Sequence, residues 1–239
     1  MTSEVAVVGI DADKAVRQFT VDSVWKQKIG FGSMLTAAWF LIAIMDVRTP
    51  LFLPVALAIA GCVTGYLLRV VRERIQFPDA KRLPEWDEWA DLFMSGITWI
   101  AIQFGICVLA MIMITSTLIL SIYAAITPNA YSVVIAETSL IVIVLVALWT
   151  SFLSTFLWVN FAIEERVTAA IDLGKVREQV RRNPGQFWMA WALSCSLQFI
   201  AIVIPAMTVI GIVLIPTTFF AAQILSAHLL VQAWTSVEN

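Results

Sequence analysis

Residues 92–126 of this chain carry no charged side chain. As one helix those 35 residues would rise by roughly 52 Å at 1.5 Å each. A water-facing helix of that length needs a polar stripe along one side, and this run has none. Such a segment must sit in lipid or against other apolar helices. It has company. Apolar runs also cover 29–45, 51–68, 138–163, 187–205 and 209–234, each close to the length that crosses a hydrocarbon core of about 30 Å. The chain of 239 residues is 60% hydrophobic and 13% charged, too few charges to coat a soluble domain. Its mean hydropathy is +0.88. Lipid must act as solvent for much of its surface.

The expected fold class is an all-α integral membrane protein. Six transmembrane helices form three hairpins, with amphipathic helices on the cytoplasmic side. In chain order, 1–10 reads as a tail and 11–28 as a surface helix capped by Asp11 or Asp13, with Ala15, Phe19, Trp25 and Ile29 at helical spacing. Hairpin 1 covers 29–72, turning at Asp46, Arg48 and Pro50. A charged loop fills 73–91, where Pro78 and Pro84 forbid a continuous helix. Pro84 then suits the first position of a short helix through Glu85 and Trp89. Hairpin 2 covers 92–163. Its first run exceeds one span, so it divides into a surface part ending near Trp99 and a span over 100–123. The turn is Thr127-Pro128-Asn129; 131–136 lies along the outer surface, and a span follows over 138–163. Residues 164–185 form a second surface helix with Ala169, Leu173, Val176 and Val180 on one stripe. Hairpin 3 covers 186–234, with Pro205 and Gly211 marking its turn and Pro216 a kink; 235–239 is a tail. The first twenty residues hold Glu4, Asp11, Asp13, Lys14 and Arg17, so no cleavable signal peptide is expected. The pairs Gln103-Phe104 and Gln198-Phe199 fall at matching places in the second and third hairpins.

Charge sets the topology. With six spans, fourteen of the fifteen Lys and Arg residues fall on the side of the termini and two charged loops, and Arg48 alone on the other. The positive-inside rule then puts both termini in the cytoplasm.

Candidate chemistry is sparse. Cys62, Cys107 and Cys195 sit in three different runs, neither a disulfide framework nor a zinc site. The sole histidine, His228, is the one candidate ligand for a metal or tetrapyrrole. Without a second histidine, a side chain hydrogen-bonded to a neighbour is the better reading. No metal site and no cofactor is expected. The amides Gln103, Asn160, Gln198 and Gln223 read as interhelical hydrogen-bonding pairs. The span centres lack the carboxylates that a cation-coupled transporter uses. No phosphate loop, metalloprotease helix or hydrolase elbow occurs, so no enzyme is expected. Neither is a nucleic-acid partner, because no basic patch is interleaved with aromatics. The partner-contact candidates are Glu85, Trp86, Asp87, Glu88, Trp89 and Asp91: aromatics for the headgroup region and carboxylates against a basic background.

The stretch Leu83-Pro84-Glu85-Trp86-Asp87-Glu88-Trp89, continuing through Leu92-Phe93 and Gly96, resembles the signature loop of a family of polytopic membrane proteins. It is the domain of unknown function numbered four-zero-one-three. The polar segment 161–184 and the Gly211-x-x-Leu214 region are similar to the same family, so the resemblance spans 15–234. It implies a prokaryotic membrane protein in an inner or internal membrane, and assigns no catalytic or binding residue. Together these readings lead to a non-enzymatic accessory or scaffold subunit of a larger membrane complex, with the lipid bilayer and membrane or cytoplasmic proteins as partners. The alternative is a channel or carrier for an uncharged or lipid-like solute.

Overall fold

The computed structural model describes residues 10–46, 50–78, 82–127 and 131–236. The expected turn residues Arg48, Pro128 and Asn129 lie outside them, as do the side chain of Asp46 and both expected tails apart from Ile10, Thr235 and Ser236. All regular structure among the described residues is helical: α1 (Ala12–Thr20), α2 (Trp25–Asp46), α3 (Leu53–Gln76), α4 (Trp89–Ile126), α5 (Ser132–Glu164), α6 (Leu173–Arg182), α7 (Pro184–Ala206) and α8 (Val209–Thr235), with short 3-10 turns before α3 and α6. Six of them, α2 to α5, α7 and α8, are long and apolar enough to cross a membrane.

Several boundaries differ from expectation, each for a local reason. The helix expected over 11–28 ends at Thr20, and α2 begins at Trp25. Between them Asp22 turns inward and accepts the Val24 N–H at 3.0 Å. The run after residue 91 does not divide at Trp99. α4 is one helix of 38 residues, because nothing from Trp89 to Ile126 breaks the hydrogen-bond ladder and a lipid boundary is not a backbone break. Likewise residues 132–136 continue directly into α5. The helix expected at Pro84 is absent; 83–88 is irregular and Glu88 takes a left-handed conformation at φ 50° before α4 starts. The second surface helix is split, since the Asp172 side chain caps α6 by accepting the Lys175 N–H. Ala169 and Val176 are buried as that stripe requires, whereas Leu173 is 52% exposed.

The core lies toward the end of the bundle that carries the charged loops. α3 packs on α4, α4 on α5, and α7 on α8, and α8 also meets α2 and α3. The α3–α4 crossing is set by small residues. Gly61 and Gly65, one turn apart on α3, meet Gly96 on α4. A Cβ at Gly65 would lie 1.8 Å from the Leu92 carbonyl oxygen, and one at Gly96 1.8 Å from the Gly61 carbonyl oxygen. In lipid, where apolar burial does not drive helices together, such close approach supplies the contact energy. At the far end of α7, Pro205 has no N–H for the carbonyl of Ala201. The Thr218 hydroxyl of α8 donates to that carbonyl at 2.6 Å instead.

Candidate functional site

The tryptophan loop is fastened from within. Lys28, in the first turn of α2, is buried. Its ammonium donates to the Leu83 carbonyl at 2.6 Å and pairs with Asp22 at 3.0 Å and Glu85 at 2.7 Å. Asp22 also accepts the Leu83 N–H at 3.0 Å. Burial would raise the pKa of Asp22, but the hydrogen bonds from Val24 N–H, Lys28 and Leu83 N–H outweigh it and hold the carboxyl below its usual range. A buried charge pair is tolerable when its remaining polar atoms are also satisfied, and here three backbone groups do so.

Trp86 follows that clasp inward. Its indole N–H donates to the Lys28 carbonyl at 3.0 Å. Its ring lies flat on Tyr66, centroids 3.9 Å apart and planes 3° off parallel, while Tyr66 donates to the Pro84 carbonyl at 3.1 Å. Phe31 meets Trp86 and Trp89 edge-on. Arg69 pairs with Asp87 and Glu88 and donates to the carbonyls of Glu85 and Asp87 at 3.3 and 3.4 Å. Of the six expected contact residues, then, Glu85, Asp87 and Glu88 are in ion pairs within the chain and Trp86 is packed on its core. Trp89 is 42% exposed and Asp91 is exposed. The loop is first a clamp joining α2, α3 and α4.

His228 lies in the core, 2% exposed. Its Nδ1 is 2.8 Å from the Ile224 carbonyl of its own helix, and its Nε2 has no hydrogen-bond partner among the described residues. No group of three His, Cys, Asp or Glu able to hold a metal occurs among those residues.

The glutamines do something other than pair. No hydrogen bond joins Gln103, Gln198 and Gln223 among the described residues. Gln103 makes a long contact of 3.5 Å with the Cys107 sulfur. All three line a pocket of about 540 Å³ between α3, α4, α5, α7 and α8, with Thr64, Ser154 and Ser226. Each is partly exposed. Gln103 is fourteen residues into α4 and Gln198 fourteen into α7; Thr64 and Gln223 are each twelve residues from the ends of α3 and α8 at the charged side. At 1.5 Å per residue these offsets are about 18–21 Å, so the polar groups converge at one level near mid-span. Phe104 and Phe199, the next residues, point outward at 69% and 67% exposure. The Gln-Phe pairs therefore do occupy matching places, with the amide inward and the ring outward. Asn160 is apart from this group and donates to the Ala169 carbonyl at 2.8 Å. Sequence alone marked the glutamines but not their convergence; their shared offset from the helix ends was the available signal. Gly61-x-x-x-Gly65 was likewise a readable signal for the close α3–α4 crossing.

A family model described as a protein of unknown function, DUF4013, matches residues 50–215. The chain belongs to this family. In this DUF4013 protein the match is narrower than the 15–234 expected. It includes the tryptophan loop, Arg69, Thr64, Gln103 and Gln198, and excludes Asp22, Lys28 and Gln223. No curated protein and no solved structure matches the chain.

Proposed function

We propose that this protein is a non-enzymatic channel or carrier that takes an uncharged or lipid-like solute into the mid-span pocket. The observation that carries the reading is the convergence on one cavity of three amides that do not pair with one another, at a depth where unsatisfied polar groups are costly. Its volume is in the range of small-molecule sites, about 300–1,000 Å³. No charged side chain is among the described lining residues, which favours a neutral solute. In this reading the six spans form three hairpins, with α1 and α6 on a cytoplasmic face that also holds both termini, as the Lys and Arg distribution implies, in a prokaryotic inner or internal membrane. Reconstituted protein should raise the flux of radiolabelled glycerol or the transbilayer movement of a fluorescent neutral lipid, and Gln103→Leu/Gln198→Leu should suppress it. Liposomes showing no protein-dependent movement of either probe would overturn the reading.

A second reading, an accessory or scaffold subunit of a larger membrane complex, is favoured by α4. This helix is about 57 Å long at 1.5 Å per residue, and past Trp99 it buries little besides Ala124. The loop carboxylates are engaged internally, so Asp91 is the sharper docking probe. Asp91→Lys should abolish co-purification of a partner protein; a partner retained by that variant, and by charge reversal at Glu85, Asp87 and Glu88, would count against the reading.

A further inference from the structure

The mid-span pocket has a neighbour. A second pocket of about 310 Å³ lies between α2, α3 and α8, lined by Trp39, Phe40, Val63 and Phe219, and it shares two lining residues with the first, Thr64 and Gln223. The two spaces differ in chemistry. In the second, the Thr36 hydroxyl is already committed to the Gly32 carbonyl at 2.8 Å, which leaves aromatic and aliphatic surface beyond the shared pair. In the first, Gln103, Gln198 and Gln223 present amides, and the Ser226 hydroxyl is 3% exposed and has no hydrogen-bond partner among the described residues. A buried hydroxyl without a partner is unfavourable, so a ligand that reaches it gains by satisfying it.

Resting on the pocket reading above, we infer that the two spaces form one bipartite site for a neutral amphipath: an uncharged head bearing hydroxyl or amide groups in the glutamine chamber, and an aliphatic tail between Trp39, Phe40 and Phe219. A glutamine amide offers both donors and an acceptor, which suits a head that does the same. A phosphate or ammonium head would bring a charge that no lining side chain neutralises, at a large desolvation cost. Gln223 and Thr64 stand where head becomes tail. Apolar walls with a few placed polar groups are the usual composition of such sites.

The test uses the full chain in lipid nanodiscs and a monoacylglycerol carrying a photoactivatable diazirine in its tail. Crosslinks should map to Trp39, Phe40 or Phe219, and unlabelled monoacylglycerol should displace the probe. Lysophosphatidylglycerol with the same tail should compete at least tenfold more weakly. Ser226→Ala, nearly isosteric, and Gln103→Leu/Gln198→Leu should each weaken binding about tenfold or more. Both remove polar groups from the bilayer core and so favour folding. Crosslinks confined to lipid-facing positions such as Phe104 or Leu120, equal competition by the anionic lipid, or no displaceable binding would overturn the inference. If binding fails while glycerol flux persists, the amphipath is wrong and the pocket reading stands. If both fail, both fall.

Discussion

A single methyl group at Gly65 tests how the bundle is held together. The Cβ of an alanine there would lie 1.8 Å from the Leu92 carbonyl oxygen, 2.5 Å from its carbon and 2.8 Å from its Cα, whereas ordinary contact begins at 3.4 Å. The obstacle is backbone, which cannot swing aside as a side chain would. α3 and α4 must therefore part by about 1.6 Å, the difference between 3.4 and 1.8 Å. A radial gap of 0.5–1 Å already forfeits a quarter to a half of a contact's attraction, and overpacking of this kind costs about 1–3 kcal/mol. We expect the upper end, about 3 kcal/mol, because the whole α3–α4 contact loosens. Gly96→Ala should cost about the same, since its Cβ meets the Gly61 carbonyl oxygen at 1.8 Å. The double variant should cost little more than either single one, because a crossing opened for one methyl has room for the other; such non-additivity is the mark of a shared contact. Gly105→Ala is the control, as its Cβ finds nothing within 4 Å and should change stability by less than about 1 kcal/mol. The assay is equilibrium unfolding in graded SDS mole fraction, read by tryptophan fluorescence and circular dichroism. A Gly65→Ala midpoint equal to that of Gly105→Ala, or single costs that simply add, would refute the reasoning.

Four further outcomes follow from the same geometry. Lys28→Met leaves Asp22 buried without its cation, for an expected loss of about 3–5 kcal/mol in the same unfolding assay. Because the folded Asp22 carboxyl titrates below its usual range, it stabilises the fold above the unfolded pKa of about 3.9. That contribution is lost as pH falls through the folded value, so Asp22→Asn should flatten the acid limb of stability measured between pH 6 and pH 2. Thr218→Val removes the hydroxyl that serves the Ala201 carbonyl and should cost about 0.6–1.7 kcal/mol; a Pro205→Ala background, which restores the N–H, should abolish that cost. Arg69→Met frees Asp87 and Glu88 and should speed proteolytic nicking within 82–88 at least several-fold, with cleavage rates unchanged elsewhere.

Six helices long and apolar enough to cross a membrane were legible because they depend on local quantities: runs without charge, prolines, and helix length. α7 and α8 end within a residue of the expected bounds. What the sequence left out shares a cause. Trp86 reads as a headgroup anchor when only its near neighbours are considered, yet Tyr66 and the Lys28 carbonyl, twenty and fifty-eight residues away, provide it with a stacking face and an acceptor. Glu85, Asp87 and Glu88 read as a free acidic face until Lys28 and Arg69 reach them.

By itself the sequence determined that six helices are long and apolar enough to cross a membrane, since hydropathy and helix-breaking residues act over one segment at a time. Only the tertiary structure decided which polar groups are spent and which remain available. Whether an amide or carboxylate is satisfied depends on what stands within about 3 Å of it. For Asp22 that neighbour is Leu83. For Gln103, Gln198 and Gln223 it is an open cavity shared by five helices.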